Sequence, residues 1–405
     1  MEGVPSPVFH NIRGLEEVAM PDGSDAPLLT VTDRLSRVSQ VEWDACSRNA
    51  CPFVSHAFLS ALEESGCATR KTGWLPQHLL LRDSDGRLLG AVPLYLKSHS
   101  YGEYVFDWGW AEAYERAGGR YYPKLQSCVP FTPVTGPRLL IHPEADEKKV
   151  RSHLIAGLME VARRHGVVSL HVTFPEQDEW QALGMAGFLQ RIGRQYHWQN
   201  QGYESFDDFL SALSSRKRKS IRKERKQTAE LGLRFRALSG SDLEPRHWDA
   251  FYHFYLNTAD RKWGQPYLNR NFFHMIGRNM ADRILLILAE RDGEPVAGAL
   301  NLMGDGVLYG RNWGCAEDHR FLHFETCYYQ AIDYAIAHGF QRVEAGAQGE
   351  HKVQRGYLAT ETWSAHLILD PALEKAVAAF LDRERQQIRQ EIDYINQHHT
   401  PYRQD

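Results

Sequence analysis

The sequence contains no GxxxxGK(S/T) loop, no HExxH, no GxSxG, and no GxGxxG following an apolar strand pattern. It therefore lacks the phosphate cradle of a P-loop NTPase, the zinc helix of a metalloprotease and the nucleophile elbow of a serine hydrolase, and it has no dinucleotide fingerprint. Six cysteines stand at 46, 51, 67, 128, 315 and 327, with no CxxC pair and no zinc-finger spacing. Neither a metal site nor a disulfide framework is expected. No apolar run reaches the ~18–20 residues of a membrane helix. The opening MEGVPSPVFHNIRGLEE has no basic region followed by an apolar one, so a reducing, cytoplasmic setting is expected, with residues 1–27 a flexible tail. Net charge is −4, so any basic surface must be local.

What is present is an ordinary globular composition, 43% hydrophobic and 24% charged, over 405 residues. At roughly 150 residues per domain that length suggests two or three domains. An internal repeat organises it. Leu79–Leu81, an Asp85-Gly86 turn and Leu88–Leu96 read as a hairpin, and so do Ile284–Glu290, Asp292-Gly293 and Val296–Leu302. A helix follows in each half, through Leu154, Ile155, Leu158 and Val161, and through Cys327, Tyr328, Ala331 and Ile332. Each ends on His-Gly, at 165–166 and 338–339, and a strand comes next, Val167–Phe174 or Phe340–Ala345. The order of hairpin, helix and strand fits an α/β unit in each half. The first half carries an aromatic-rich insertion at 98–136, a candidate substrate pocket or a seal between domains. From Arg216 to Lys226 eight of eleven residues are Lys or Arg, in a helical segment with no broad apolar face. A long amphipathic helix is expected over Leu373–Ile395.

Four groups of residues carry possible chemistry. Glu344 to Lys352, with Arg355 and Gly356, follow the second strand, where open α/β sheets place ligands. There Glu344 and His351 can move protons, while Gln348, Lys352 and Arg355 can hold a polar or anionic group. Alternation along 308–314 puts Tyr309, Arg311 and Trp313 on one face, fit to bind an anion or to stack structurally. Asp107, between Phe106 and Trp108, is either a base with a raised pKa or the partner of Lys124. The basic stretch reads as a solvated face, an RNA-phosphate arm or an anion site for a cofactor.

At YGEYVFD (101–107), YYPKL (121–125), PFTPVTG (130–136), GAQGEHK (346–352), Arg355-Gly356 and Ser364-Ala365-His366 the chain resembles the FemAB-like, peptidoglycan biosynthesis-related N-acyltransferases of the GNAT superfamily, over about residues 30–370. The family pattern has prolines near 359 and 361, where this chain has Ala359 and Glu361. The resemblance implies an α/β protein with two tandem GNAT-like domains, 28–200 and 236–405, joined by a basic helical connector at 201–235. It implies acyl transfer by direct attack of an amine, from a small molecule or a peptide, in a cleft between the domains. Glu344, His351 and Asp107 are then the catalytic candidates. Arg311, Trp313, Gln348, Lys352, Arg355, Tyr122, Lys124 and Trp108 are the candidates for substrate binding. The donor is an acyl-CoA or an aminoacyl-tRNA. Glu317–Glu325 has no glycine and three acids, unlike an acetyl-CoA pyrophosphate loop. With a tRNA donor, Arg216, Lys217, Lys219, Arg222 and Lys226 would meet phosphates, and the acceptor would be peptidoglycan-related. A non-catalytic ligand- or RNA-binding protein on the same scaffold is the competing class.

Overall fold

The computed structural model describes residues 27–48, 50–262, 266–346 and 349–403. The tail through residue 26 and Gln348 lie outside them. The chain forms two compact units. One comprises residues up to Gly193 with Thr362–Ile388, and the other Arg194–Glu361 with the residues from Arg389 onward.

The repeat read from the sequence is present. In the first unit His78–Arg82 and Leu88–Val92 pair antiparallel. Helix Glu147–His165 follows, capped by Asp146 accepting from the Lys149 N–H and closed by Gly166 at φ 60. Strand Ser169–Thr173 comes next. Leu79, Leu81, Leu94, Leu125, Leu154, Leu158, Leu170 and Val172 share one buried core. In the second unit Ile284–Arg291 pairs with Glu294–Met303, a helical stretch runs Leu322–Ala337, and Arg342–Glu344 is the following strand. The second unit's strands lie in the order 234–238, 284–291, 294–303, 307–315, 342–344, and the 197–199 end of strand Leu189–Gln199.

Three local differences have clear causes. The apolar run Leu88–Leu96 is two strands rather than one. Pro93 gives the ladder no N–H, so Leu88–Val92 pairs with 78–82, while Leu94–Lys97 pairs with Trp74–Pro76 and Lys124–Ser127. The 98–136 insertion therefore holds an inner strand, Lys124–Ser127, which also runs parallel to Ser169–Thr173. Finally, strand Leu358–Ile368 lays Ser364–Ile368 against Ser169–Thr173, and helix Pro371–His398 sets Leu373, Val377 and Leu381 on Trp110 and Tyr121. Residues 362–388 thus belong with the first unit, where the sequence reads as two consecutive halves. The two expected prolines are explained nearby. The Ala359 N–H donates to Asn396 Oδ1 at 2.9 Å, which a proline could not do, and Glu361 pairs with Arg389 at 3.1 Å.

Helix Pro245–Lys262 covers one face of the second sheet through close backbone approach. A Cβ on Gly314 would lie 2.1 Å from the Phe254 carbonyl oxygen. Gly314→Ala is therefore expected to lower stability by about 2–3 kcal/mol, read as a shift in denaturant midpoint. An unchanged midpoint would mean that this helix is not seated on the strand as described.

Candidate active site

In the second unit, strands Val307–Cys315 and Arg342–Glu344 run parallel for three residue pairs, Val307↔Arg342 to Tyr309↔Glu344. Beyond that point they are no longer paired, and a cavity of about 70 Å³ lies beside Asn301, Gly310, Arg311, Trp313, Cys327, Tyr328 and Ala345. Gly310 keeps this place open. A Cβ there would stand 3.2 Å from the Glu344 carbonyl oxygen and 3.4 Å from Asn301 Oδ1. Asn301 is buried, with Nδ2 donating to Leu285 O and Ala299 O, while its Oδ1 accepts no hydrogen bond among the described residues.

The register breaks here. Leu300 opposes Asn312 and Asn301 opposes Gly310, so Arg311 is an extra residue in its strand, a β-bulge. Tyr309 then opposes Leu302, and Trp313 opposes Ala299. Those partners are three apart, so Tyr309 and Trp313 lie on opposite faces, which corrects the simple alternation expected from sequence. Trp313 faces the helical side, its ring 5.2 Å from that of His323.

That helical stretch contains a π-turn, Glu325–Tyr329. Such turns recur at functional sites because they re-aim side chains within a helix. Cys327 and Tyr328 line the cavity, and Tyr329 meets Glu224 of helix Ser215–Ala229. The Tyr328 hydroxyl is 2.9 Å from His351 Nε2, and burial pushes its pKa far up, so it stays a neutral donor.

The loop Glu350–Arg355 brings two buried cations. Lys352 donates to Gly346 O at 2.8 Å. No carboxylate pairs with it among the described residues. Burial drives its pKa down to about 7; a Cys327 thiolate would raise it and Arg311 lowers it further. Arg355 instead donates to both oxygens of Glu224, at 3.1 and 3.0 Å, lies 3.4 Å over the Phe324 ring and donates to His351 O at 2.7 Å. The exposed anion-holding role expected for Lys352 and Arg355 does not fit this burial. Arg355 is spent on Glu224, because an ion inside a protein needs its partner.

Glu344 is also buried, with Arg342 Nε at 3.0 Å and His197 Nε2 at 3.8 Å. It shares a sheet face with its register partners Tyr309 and His197, opposite to that of Asn301 and Gly310. His351 touches the cavity through Tyr328, whereas Glu344 does not line it. Gln348 lies outside the described residues.

The first-unit candidates form a separate cluster. Asp107 pairs with Lys124 and accepts from the Tyr121 hydroxyl at 2.7 Å. Burial alone would raise the Asp107 pKa, but Lys124 and His171 overcome it and hold the carboxyl well below the usual range. It is a fixed anion, so the expectation of a base with raised pKa is corrected in favour of the ion pair. Tyr122 bonds Ser100 at 2.8 Å, and Trp108 is exposed. This unit has its own parallel pair, Leu125↔Leu170 to Ser127↔Val172, and beyond it Cys128, Val129 and Arg138 are buried. Arg138 fills the place, donating to Thr173 O, Gly136 O, Pro137 O and Val134 O.

In the basic helix Arg216, Lys219, Lys223 and Lys226 are exposed. Lys217 donates to Gln354, Arg222 pairs with Asp207 at 2.9 Å, and Arg225 pairs with Glu325 and Asp333. Sequence reasoning passed over Glu224, Asn301 and Tyr328. Glu224 had a signal, as the one acid within 216–226. Asn301 and Tyr328 had none, because the bulge and the π-turn that aim them leave no local pattern.

The site so described lies in the second of two α/β units, where parallel strands separate beside a small cavity. The chain belongs to the FemAB-like family, described as peptidoglycan biosynthesis/recognition, whose model matches residues 34–404. No curated protein matches its sequence. Among solved structures it is similar to FemX, at 13% identity and TM-score 0.54, covering 84% of this chain and 98% of that one. It is also similar to the C-terminal domain of a putative lysylphosphatidylglycerol synthetase from Agrobacterium fabrum, at 10% identity and TM-score 0.50, covering 84% and 94%. At these identities the likeness is one of fold.

Arg355→Ala would leave Glu224 buried without its cation. An expected loss of about 3–5 kcal/mol follows, measurable by chemical denaturation. A variant as stable as the parent would show that this pair is not closed in solution.

Proposed function

We propose that the second unit transfers an acyl or aminoacyl group to an amine, with the donor carbonyl lying where strands 307–315 and 342–344 separate. The observation that carries this is the end of parallel pairing at Tyr309↔Glu344, with a cavity just beyond it. Backbone N–H groups no longer used by the ladder can donate to a carbonyl oxygen as it gains negative charge. The orphan Oδ1 of Asn301 can accept an N–H from a bound donor or from the attacking amine. In direct transfer the amine nitrogen forms a bond to the carbonyl carbon, and the bond to the leaving sulfur or oxygen breaks. The amine proton goes to a base and the leaving group takes one up. Lys352 does not line the cavity but is electrostatically coupled to its lining residues Cys327 and Arg311, and we assign it as the base, since a buried lysine with a pKa near 7 is partly neutral at physiological pH. The leaving group takes its proton from the protonated Lys352, while the neutral Tyr328 hydroxyl beside His351 stays a hydrogen-bonding group at the cavity wall. Incubating the protein with acyl-CoA species and with aminoacyl-tRNA in parallel, plus a panel of amines, and reading products by mass spectrometry tests the reaction. No acylated product from either donor would sink it.

Two predictions follow from this reading. The rate should rise with pH through a midpoint near 7, and Lys352→Met should remove that limb. The linkage sign gives a second readout. The folded pKa lies below the ordinary lysine value, so the unfolded chain binds more protons between about 7 and 10.5, and stability rises with pH across that window. The parent should show this slope in its denaturation midpoints and Lys352→Met should lose it.

The exposed cations of the basic helix favour a charged tRNA as donor over a CoA thioester. If tRNA binds there, log affinity should fall against log salt by roughly 0.7–0.9 per phosphate contact. Changing Arg216, Lys219, Lys223 and Lys226 to Gln should flatten that slope for any tRNA alike. Salt-independent binding of a CoA thioester, with no tRNA affinity at low salt, would remove the tRNA donor.

A further inference from the structure

One face of the first unit's inner sheet is polar and yet buried. The registers Tyr95↔Gln126, Lys97↔Lys124, Gln126↔His171, His171↔His366 and Thr173↔Ser364 put these side chains on one side, each almost wholly shielded from solvent. The other side carries Leu94, Leu96, Leu125, Leu170 and Val172 and belongs to the apolar core shared with helix Glu147–His165. A sheet covered on both sides is ordinarily apolar on both. The polar face is covered by residues 98–122, and this cover sets carboxylates on the lysines. Glu103 brackets its carboxylate between them, Oε1 at 2.8 Å from Lys97 Nζ and Oε2 at 2.7 Å from Lys124 Nζ. Asp107 adds a second contact to Lys124.

Two lysines and two carboxylates buried together are seldom the most stable way to fill a core, because desolvation offsets the attraction. Hydrogen-bonding capacity is also left over. Tyr95 Oη, Gln126 Oε1 and Asp107 Oδ1 make no hydrogen bond among the described residues. Trp110, Ala111 and Tyr121 of the cover pack on Leu373, Val377 and Leu381, whereas both carboxylates come from its 98–107 part. Gly102 and Tyr104 take positive φ at one end, 79 and 61, and Gly118 takes φ 86 near the other. Its outer side shows the rings of Tyr101, Phe106 and Trp108 to solvent.

We propose that this polar face is a binding site for a small dianion, and that Glu103 and Asp107 occupy the positions of its two acidic groups while the cover is shut. The two lysine Nζ atoms hold a group the size of a carboxylate or phosphate, and a second anionic group would replace Asp107 against Lys124. Tyr95 and Gln126 supply the remaining polar contacts. The site is independent of the acyl-transfer reading.

Hydrogen–deuterium exchange on the full chain tests it, with glutarate, with inorganic pyrophosphate, and with sodium chloride at equal ionic strength. Amides of 98–122 should exchange about tenfold faster with glutarate or pyrophosphate than with chloride, while strand 88–92 is unchanged. A response to glutarate alone identifies a dicarboxylate, and a response to pyrophosphate alone a phosphate ligand. Glu103→Gln removes the occupying carboxylate and should bind the effective anion about tenfold more tightly, read as a larger anion-dependent rise in Tm. If that variant does not fold, exchange in the parent decides. Protection of 98–122 that matches strand 88–92 and ignores all three salts, or that responds equally to chloride, overturns the proposal.

Discussion

The carboxylate of Glu224 holds the second unit's chemical residues in one arrangement. It sits on a helix otherwise crowded with Lys and Arg, is buried, and accepts from Arg355 and from Tyr329. Arg355 belongs to the loop that carries His351 and Lys352, and Tyr329 to the π-turn that presents Cys327 and Tyr328. One buried anion thereby fixes three segments distant in sequence. An isolated charge there would be untenable, so the three must close together or not at all. The basic helix is consequently more than a solvated arm, since its inner side clamps the site while its outer side keeps cations in water.

The same architectural position has opposite fates in the two units. Each has a short parallel pair, 124–127 with 169–173 and 307–309 with 342–344. In the second unit Gly310 and the bulge at Arg311 leave space beyond the pair. In the first, the chain returns as 128–138 and seals it. Arg138 is wholly buried and hydrogen-bonds four carbonyl oxygens, while Glu179 takes the N–H groups of Arg138 and Leu139. Burial raises the Glu179 pKa to about 7, so this plug is held by geometry rather than by a strong charge pair. The scaffold repeats, with a cavity beside the separated strands of the second copy and the buried Arg138 packed against the strand end of the first, and this asymmetry is the reason we propose acyl transfer for the second unit.

Much of this was legible in the sequence. Both hairpins, both helices ending at His-Gly, and the strands after them follow from local periodicity and turn residues, and local signals survive into tertiary structure. The possible Asp107–Lys124 pair was visible as a carboxylate and a lysine within one insertion. The rest was not local. The bulge at Arg311 is one extra residue that alternation cannot show, and it sends Tyr309 and Trp313 to opposite faces. The return of 362–388 to the first unit depends on strand pairing across almost two hundred positions. Burial of Lys352 and Arg355 inverted their expected role, because a charged residue in a glycine-rich loop reads as exposed until its surroundings are known.

Three buried lysines show how surroundings decide chemistry. Lys124 has two carboxylates, Glu103 and Asp107, and although burial opposes its charge they raise its pKa above the ordinary value. Lys97 shares only Glu103 and lies 3.4 Å over the Trp74 ring, and burial brings it down to about 8. Lys352 has only a carbonyl oxygen and a neighbouring arginine, and it falls to about 7. The order follows the number of compensating anions, as it must when desolvation is similar and partner charge varies. A fully paired lysine can only hold an anion. A lysine without an anion can lose its proton at neutral pH, which acid–base catalysis requires. That contrast is the reason we propose proton transfer at Lys352 in the second unit and anion binding at the paired lysines of the first.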